Sequence, residues 1–156
     1  MELWQDSGAE PSRDSCSRIW KGSAPDVAEV NLDDAASQKE AISLIGMIPW
    51  ILVRCSDWTM IPLENLISHS SGSGTKIVAS ISDIVDLNGA AFALEHGVDA
   101  LLLPPQNVEL WEEAEIIFSS KNSVNKANEP VIRLSPATIL SINSSGVGER
   151  VCIDLI

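Results

Sequence analysis

The sequence predicts an α/β fold of repeated βα units, forming a parallel sheet or a partial TIM-like barrel and followed by a short β segment. Three observations predict it. Short apolar runs recur at residues 50–54, 76–81 and 98–103, with a weaker strand candidate at 27–32. After each comes a stretch with apolar residues at helical spacing. Gly, Pro or Asp punctuates the junctions. Such alternation selects a parallel sheet with helices packed against it. The repeat length, about 22 to 28 residues, suits single βα units. Four units are half of a closed eight-stranded barrel.

Each element has a local reason. Residues 1–25 are polar and broken by Gly8, Pro11, Gly22 and Pro25, and read as a disordered leader. Residues 26–120 are the βα-repeat domain. Asp33 or Asp34 caps a helix carrying Ala36, Ala41 and Leu44, and Gly46 stops it. A strand at 50–54 leads into a helix at 62–69, with Pro62 in its first turn and Leu63, Leu66 and Ile67 apolar. Residues 70–74, Ser-Ser-Gly-Ser-Gly, form a turn. A strand at 76–81 follows. Asp83 then caps a helix with Ile84, Leu87, Ala91 and Leu94, ending at Gly97. Pro104 and Pro105 stop the strand at 98–103. The next helix, at 107–118, places Val108, Trp111, Ala114 and Phe118 on one face. Residues 121–129 are a polar linker. Residues 130–156 open a β-rich region that stops on an apolar strand, with a turn at Gly146 and Gly148.

Composition bounds the function. The chain has 156 residues, 45% hydrophobic, with mean hydropathy +0.13, enough for one domain with a real core. Acids outnumber bases 22 to 10, a net charge of −12. That argues against nucleic acid and anionic membrane surfaces as partners. Cys16, Cys55 and Cys152 show no metal spacing, and three cysteines without a disulfide framework fit a reducing, cytoplasmic setting. No metal constellation is present. His69 and His96 fall at helix ends, where a positive charge suits the dipole.

The stretch after the second strand carries the most chemistry. Asp57 and Trp58 lie in a strand-to-helix loop, and Glu64 and Asn65 in the first turns of the helix. Arg54 ends the strand. Loops at the carboxyl ends of parallel strands are where α/β domains bind ligands. Asp57 and Glu64 suit proton transfer, Asn65 suits orienting a hydroxyl, and Arg54 suits a carboxylate. The plainer roles are helix capping for the acids, core cover for Trp58, and a pairing of Arg54 with Asp57 or Asp83. Residues 70–76 lack the spacing of a phosphate loop, and no dinucleotide fingerprint follows a strand. Lys76 opens a strand and suits solvent.

Three blocks carry a resemblance. Ser56-Asp57-Trp58 with Ile61-Pro62-Leu63-Glu64-Asn65 is the first. The second is His96 to Pro104, His-Gly-Val-Asp-Ala-Leu-Leu-Leu-Pro. Gly146 to Asp154, Gly-Val-Gly-Glu-Arg-Val-Cys-Ile-Asp, is the third, with Glu149 where Asp is usual. Together, over residues 26–156, they resemble the archaeal-type (type II) 3-dehydroquinate synthase family, as a fragment of its length.

The resemblance implies NAD-dependent oxidative deamination of a 2-amino-6-ulosonate sugar acid, then cyclisation to 3-dehydroquinate, feeding the shikimate route to aromatic amino acids. It implies NAD as cofactor without showing where NAD sits. On this reading Asp57, Glu64 and Asn65 are the catalytic candidates, and Arg54 and Trp58 bind the small-molecule substrate. The expected compartment is the cytoplasm; for a plastid-bearing source the stroma is the alternative, though residues 1–25 give no support for import. The alternative is a truncated, inactive member or an interaction fragment that binds a further subunit through open strand edges. A third reading is an unrelated small α/β binding domain.

Overall fold

The computed structural model describes residues 1–8, 11, 13–56 and 60–124. Its elements are β1 (Glu2–Asp6), β2 (Cys16–Trp20), β3 (Val27–Asn31), α1 (Ala35–Leu44), β4 (Trp50–Arg54), α2 (Met60–Ser70), β5 (Lys76–Ser80), α3 (Ile84–Phe92), β6 (Ala100–Leu103) and α4 (Val108–Val124). The six strands form one sheet in the order β2-β1-β6-β5-β4-β3, and every pairing is parallel. The α/β expectation therefore holds, as parallel strands alternating with helices from β3 onward.

Strand periodicity splits the core into two layers. Outward residues of the central strands, among them Ile51, Val53, Ile77, Ala79, Leu101 and Leu103, pack with helix residues such as Leu63, Leu66, Leu87 and Trp111. The opposite face gathers Trp4, Trp20, Val27, Leu52, Val78, Ala100 and Leu102. A strand buried on both faces reads as a continuous apolar run, which is why Ile51, Leu52 and Val53 are all fully buried.

The second layer shows that the sheet curls. β6 and β5 lie between β1 and β4, so a flat sheet would hold β1 and β4 about 14 Å apart. Yet the rings of Trp4 on β1 and Trp50 on β4 lie 4.7 Å apart. Lys76 on β5 reaches Glu2 on β1 at 3.7 Å. The helices cover the convex side, and these side chains fill the concave one.

The two edges, β2 and β3, are consecutive in sequence and joined by residues 21–26. Arg18 of β2 grips Asp26, just before β3, with two hydrogen bonds of 2.7 Å each. No hydrogen-bonded pairing closes β2 onto β3 among the described residues. Read from β3, the strands nevertheless run β3-β4-β5-β6-β1-β2, so chain order is followed around the curl with one step back to the start.

Residues 1–25 correct the sequence reading. They hold two of the six strands, and Leu3 and Trp4 are fully buried. Gly8, Pro11, Gly22 and Pro25 mark the loops around these strands and not a loose segment. The polar residues that suggested a leader, Glu2, Asp6 and Arg18, lie on the concave face, where they have partners. At the other end, α4 runs through Val124, so the start of the expected linker is helical. Helix α3 stops at Phe92, because Leu94 and Glu95 adopt left-handed φ of 50° and 67°. The expected β-rich region at 130–156 lies outside the described residues. Among the described residues, no helix is long and apolar enough to cross a membrane.

Candidate functional site

Odd-even alternation sends Asp6, Glu29, Arg54 and Ser80 to the concave face, and each sits at or near the carboxyl end of its strand. The curl brings them together. Arg54 Nη1 donates to Asp6 Oδ2 at 3.0 Å and to Ser80 Oγ at 2.8 Å, and Arg54 Nε donates to Glu29 Oε1 at 2.5 Å. Four strands thus contribute to one cluster at the mouth of the curl. The side chains of Arg54, Asp6 and Glu29 each remain 33% exposed, so solvent reaches them.

Electrostatics define what the cluster attracts. Burial works against the Arg54 charge, but hydrogen bonds to Glu29 and Asp6 outweigh it and raise the guanidinium above its ordinary range. With Arg54 fixed as a cation, Asp6 and Glu29 leave the trio with one net negative charge at neutral pH.

Beside it, at the ends of β3 and β4, a cavity of about 300 Å³ is lined by Asp33, Asp34, Gln38, Cys55, Ser56 and Pro62, among others. Asp33 Oδ1 accepts from Ser56 N at 2.9 Å and Ser56 Oγ at 2.8 Å. These bonds pull the Asp33 carboxyl below its ordinary range. Asp34 accepts from Ser37 N at 2.7 Å as the cap of α1, and is lowered by the same kind of contact. Two more carboxylates therefore stay ionised next to the mouth.

The residues expected from sequence are distributed as follows. Arg54 is at the centre of the cluster, but its partners are Asp6 and Glu29; Asp83 instead accepts from Val85 N as the cap of α3. Glu64 is half-buried and Asn65 exposed on α2, whose Leu63 and Leu66 face the core. The Asn65 carbonyl lies 2.7 Å from His69 Nδ1. Neither Glu64 nor Asn65 lines the cavity at Asp33. Asp57 and Trp58 lie outside the described residues. Sequence reasoning missed Asp6 and Glu29. The available signal was a charged residue at the inward parity of a short strand, where an unpaired charge would be costly.

The opposite end of the curl is built differently. Arg18 and Trp50 flank Trp4, Lys76 lies 4.7 Å from the Trp50 ring, and Trp4 Nε1 donates to Glu2 Oε2 at 2.9 Å. These contacts plug the amino-terminal end, where parallel-barrel folds concentrate stability and not chemistry. A second cavity, about 560 Å³, lies on that side between the ends of α2 and α3, lined by Ser70, Gly72, Thr75, Lys76, His96 and Asp99 among others. Among the described residues, no group of three or more His, Cys, Asp or Glu is placed to hold a metal ion.

The family described as 3-dehydroquinate synthase II N-terminal domain matches residues 8–118. The chain belongs to that family. Its relatives include a 3-dehydroquinate synthase of Methanococcus maripaludis (strain C5), 33% identical over 126 residues, covering 81% of this chain and 33% of the relative. One from Methanocaldococcus jannaschii is 34% identical over 113 residues, 72% of this chain and 30% of the relative. One from Methanocella arvoryzae is 33% identical over 127 residues, 81% and 32%. The chain thus spans about a third of the length of these relatives. No solved structure matches. The family match starts at residue 8, so most of the expected leader falls inside the family's N-terminal domain. It includes Glu29, Arg54 and Ser80 but not Asp6.

Proposed function

We propose that this chain is the substrate-binding portion of a 3-dehydroquinate synthase of the type II family, with the sugar-acid substrate at the carboxyl-end mouth of the curled sheet. The reaction is oxidative deamination of 2-amino-3,7-dideoxy-D-threo-hept-6-ulosonate followed by cyclisation to 3-dehydroquinate, in aromatic amino acid biosynthesis. One observation carries the reading: four strands of a family member deliver Asp6, Glu29, Arg54 and Ser80 to one exposed point at their carboxyl ends. Asp6 and Glu29 are the proton acceptors of this proposal, because the reaction must take protons from an ammonium and from hydroxyls. Asp57, Glu64 and Asn65 remain catalytic candidates and Trp58 a substrate-binding one on the sequence reading, with Asp57 and Trp58 outside the described residues.

NAD is the hydride acceptor that the family resemblance implies. Open backbone donors at a helix N-terminus are a common seat for a dinucleotide pyrophosphate. Asp34, Asp83 and Asn107 each take one such donor, at the starts of α1, α3 and α4. The starts of α1, α3 and α4 are thus each capped by a side chain, two of them negatively charged, which disfavours a pyrophosphate there; the start of α2 borders residues outside the described ones.

The test follows NADH appearance at 340 nm with the amino-ulosonate substrate. The unmodified chain is expected to turn over. Asp6→Asn and Glu29→Gln are each expected to lower kcat/KM by about 10²-fold, the scale of a lost general base. Full activity in both variants would sink the assignment. A folded chain without turnover would favour the second reading, an inactive member that associates with other subunits.

A further inference from the structure

We propose that Arg54 is a positioning residue: it holds Asp6 and Glu29 as an acceptor pair for the substrate's cationic amino group, and does not itself bind the substrate carboxylate. The inference rests on the proposed reaction and names the recognition chemistry of its site.

A donor inventory carries the argument. A guanidinium has five N–H groups, one on Nε and two on each Nη. A carboxylate taken in a fork needs one donor from each of two adjacent nitrogens. Nε has given its only hydrogen to Glu29 Oε1. Both hydrogens of Nη1 are directed at Asp6 Oδ2 and Ser80 Oγ. What is left sits on Nη2 alone, so neither the end-on nor the side-on fork is available. A substrate carboxylate here would also meet a trio that is already net negative.

The acceptor side is the complement. Asp6 uses Oδ2 and Glu29 uses Oε1 towards Arg54. Among the described residues, no donor reaches Asp6 Oδ1 or Glu29 Oε2. These two oxygens, spaced by one guanidinium at a mouth open to solvent, can take two of the three N–H groups of a primary ammonium. Ser80 Oγ accepts from Arg54 and, as a hydroxyl, carries one hydrogen that can be donated to a substrate oxygen. Asp33 and Asp34 at the adjacent cavity strengthen the preference for a cation. Arg54 thus contributes through the carboxylates: without it, two like charges would repel and lose their fixed spacing.

The experiment is calorimetric titration of the chain with two probes, the amino-ulosonate and its analogue bearing hydroxyl in place of ammonium. The unmodified chain is expected to prefer the amino probe by about tenfold or more, the scale of one charge-assisted hydrogen bond. Asp6→Asn and Glu29→Gln are expected to erase the preference. Arg54→Met is expected to weaken the amino probe more than the hydroxy probe, and Arg54→Lys to restore part of the difference, with far-UV circular dichroism checking the fold of each. Equal loss of both probes in Arg54→Met, with Lys giving no rescue, would show that Arg54 binds the shared carboxylate and would overturn the proposal. So would a preference that survives both carboxylate variants. Turnover alongside either result would leave the proposed reaction standing and remove only this inference. An ammonium preference without turnover would do the reverse. A chain that binds neither probe overturns both.

Discussion

Gly97 shows how much one residue can decide. It turns the chain from α3 into β6 with φ of +68°, and a Cβ there would sit 1.7 Å from the Ala91 carbonyl oxygen. Backbone cannot yield as a side-chain tip can. Lys121 crosses from α4 to donate to the Ala91 and His96 carbonyls, so the same spot also joins two helices. Gly97→Ala is expected to cost about 2 kcal/mol or more in urea unfolding; an unchanged midpoint would mean that the turn is not built this way. Asp33 makes a second prediction at this scale. Its folded pKa lies below the ordinary 3.8, so its contribution is present above that value and lost as pH falls through the lowered one. Asp33→Asn should therefore unfold with a shallower pH dependence below about pH 3.8 than the unmodified chain. Parallel acid limbs would count against the Ser56 contact as the cause. The residue scale was the least legible in sequence. Arg54 was found because it ends an apolar strand, whereas Asp6 was hidden in a stretch whose Gly and Pro residues outweighed the short strand between them.

Elements were far more legible, because each helix carries its own start signal. Asp34 caps α1 and forms a reciprocal capping box with Ser37; Asp83 caps α3. Asp34→Ala is expected to lower the thermal midpoint and to raise amide exchange in the first turn of α1 while leaving β4 protected. Uniform loss of protection across the domain would instead make the cap a global contributor. Strands β4 and β6 were plain as continuous apolar runs. β1 and β2 were not, since Glu-Leu-Trp-Gln-Asp and Cys-Ser-Arg-Ile-Trp mix charge with apolar residues. The charges of β1 face inward to ion-pair partners far away in sequence, Arg54 for Asp6 and Lys76 for Glu2, which no local pattern reveals. Leu94 misled for a related reason: it continues the helical spacing of α3 but adopts φ of 50° to make the turn at Gly97.

For the whole molecule, curvature is what the sequence could least supply. A six-stranded parallel sheet was within reach of the βα rhythm; that it folds over its own face was not. Trp4 and Trp50 offer a direct test, because only the curl can bring β1 against β4. In a double-mutant cycle, Trp4→Leu and Trp50→Leu are expected to couple by about 0.5–1.5 kcal/mol. Additive effects would mean that the sheet opens in solution. The same curvature explains why the candidate site was only half legible. Arg54 belongs to a stretch that announces itself, but its partners are assembled by the pairing of distant strands.

That pairing also sets a timetable. β1 is no edge strand: it lies between β2 and β6, with Glu2 in register with Ala100 and Gln5 with Leu103. When Glu2–Asp6 leaves the ribosome, its second neighbour has yet to be made. Until β6 arrives, Trp4 has no settled place and β1 offers an unpaired strand to any passing chain. The β1–β6 pairing can form only once β6 has been made, and such long-range parallel pairing is slow. Asp6 rides on β1, so the carboxylate pair exists only once the ends of β1, β3 and β4 have come together.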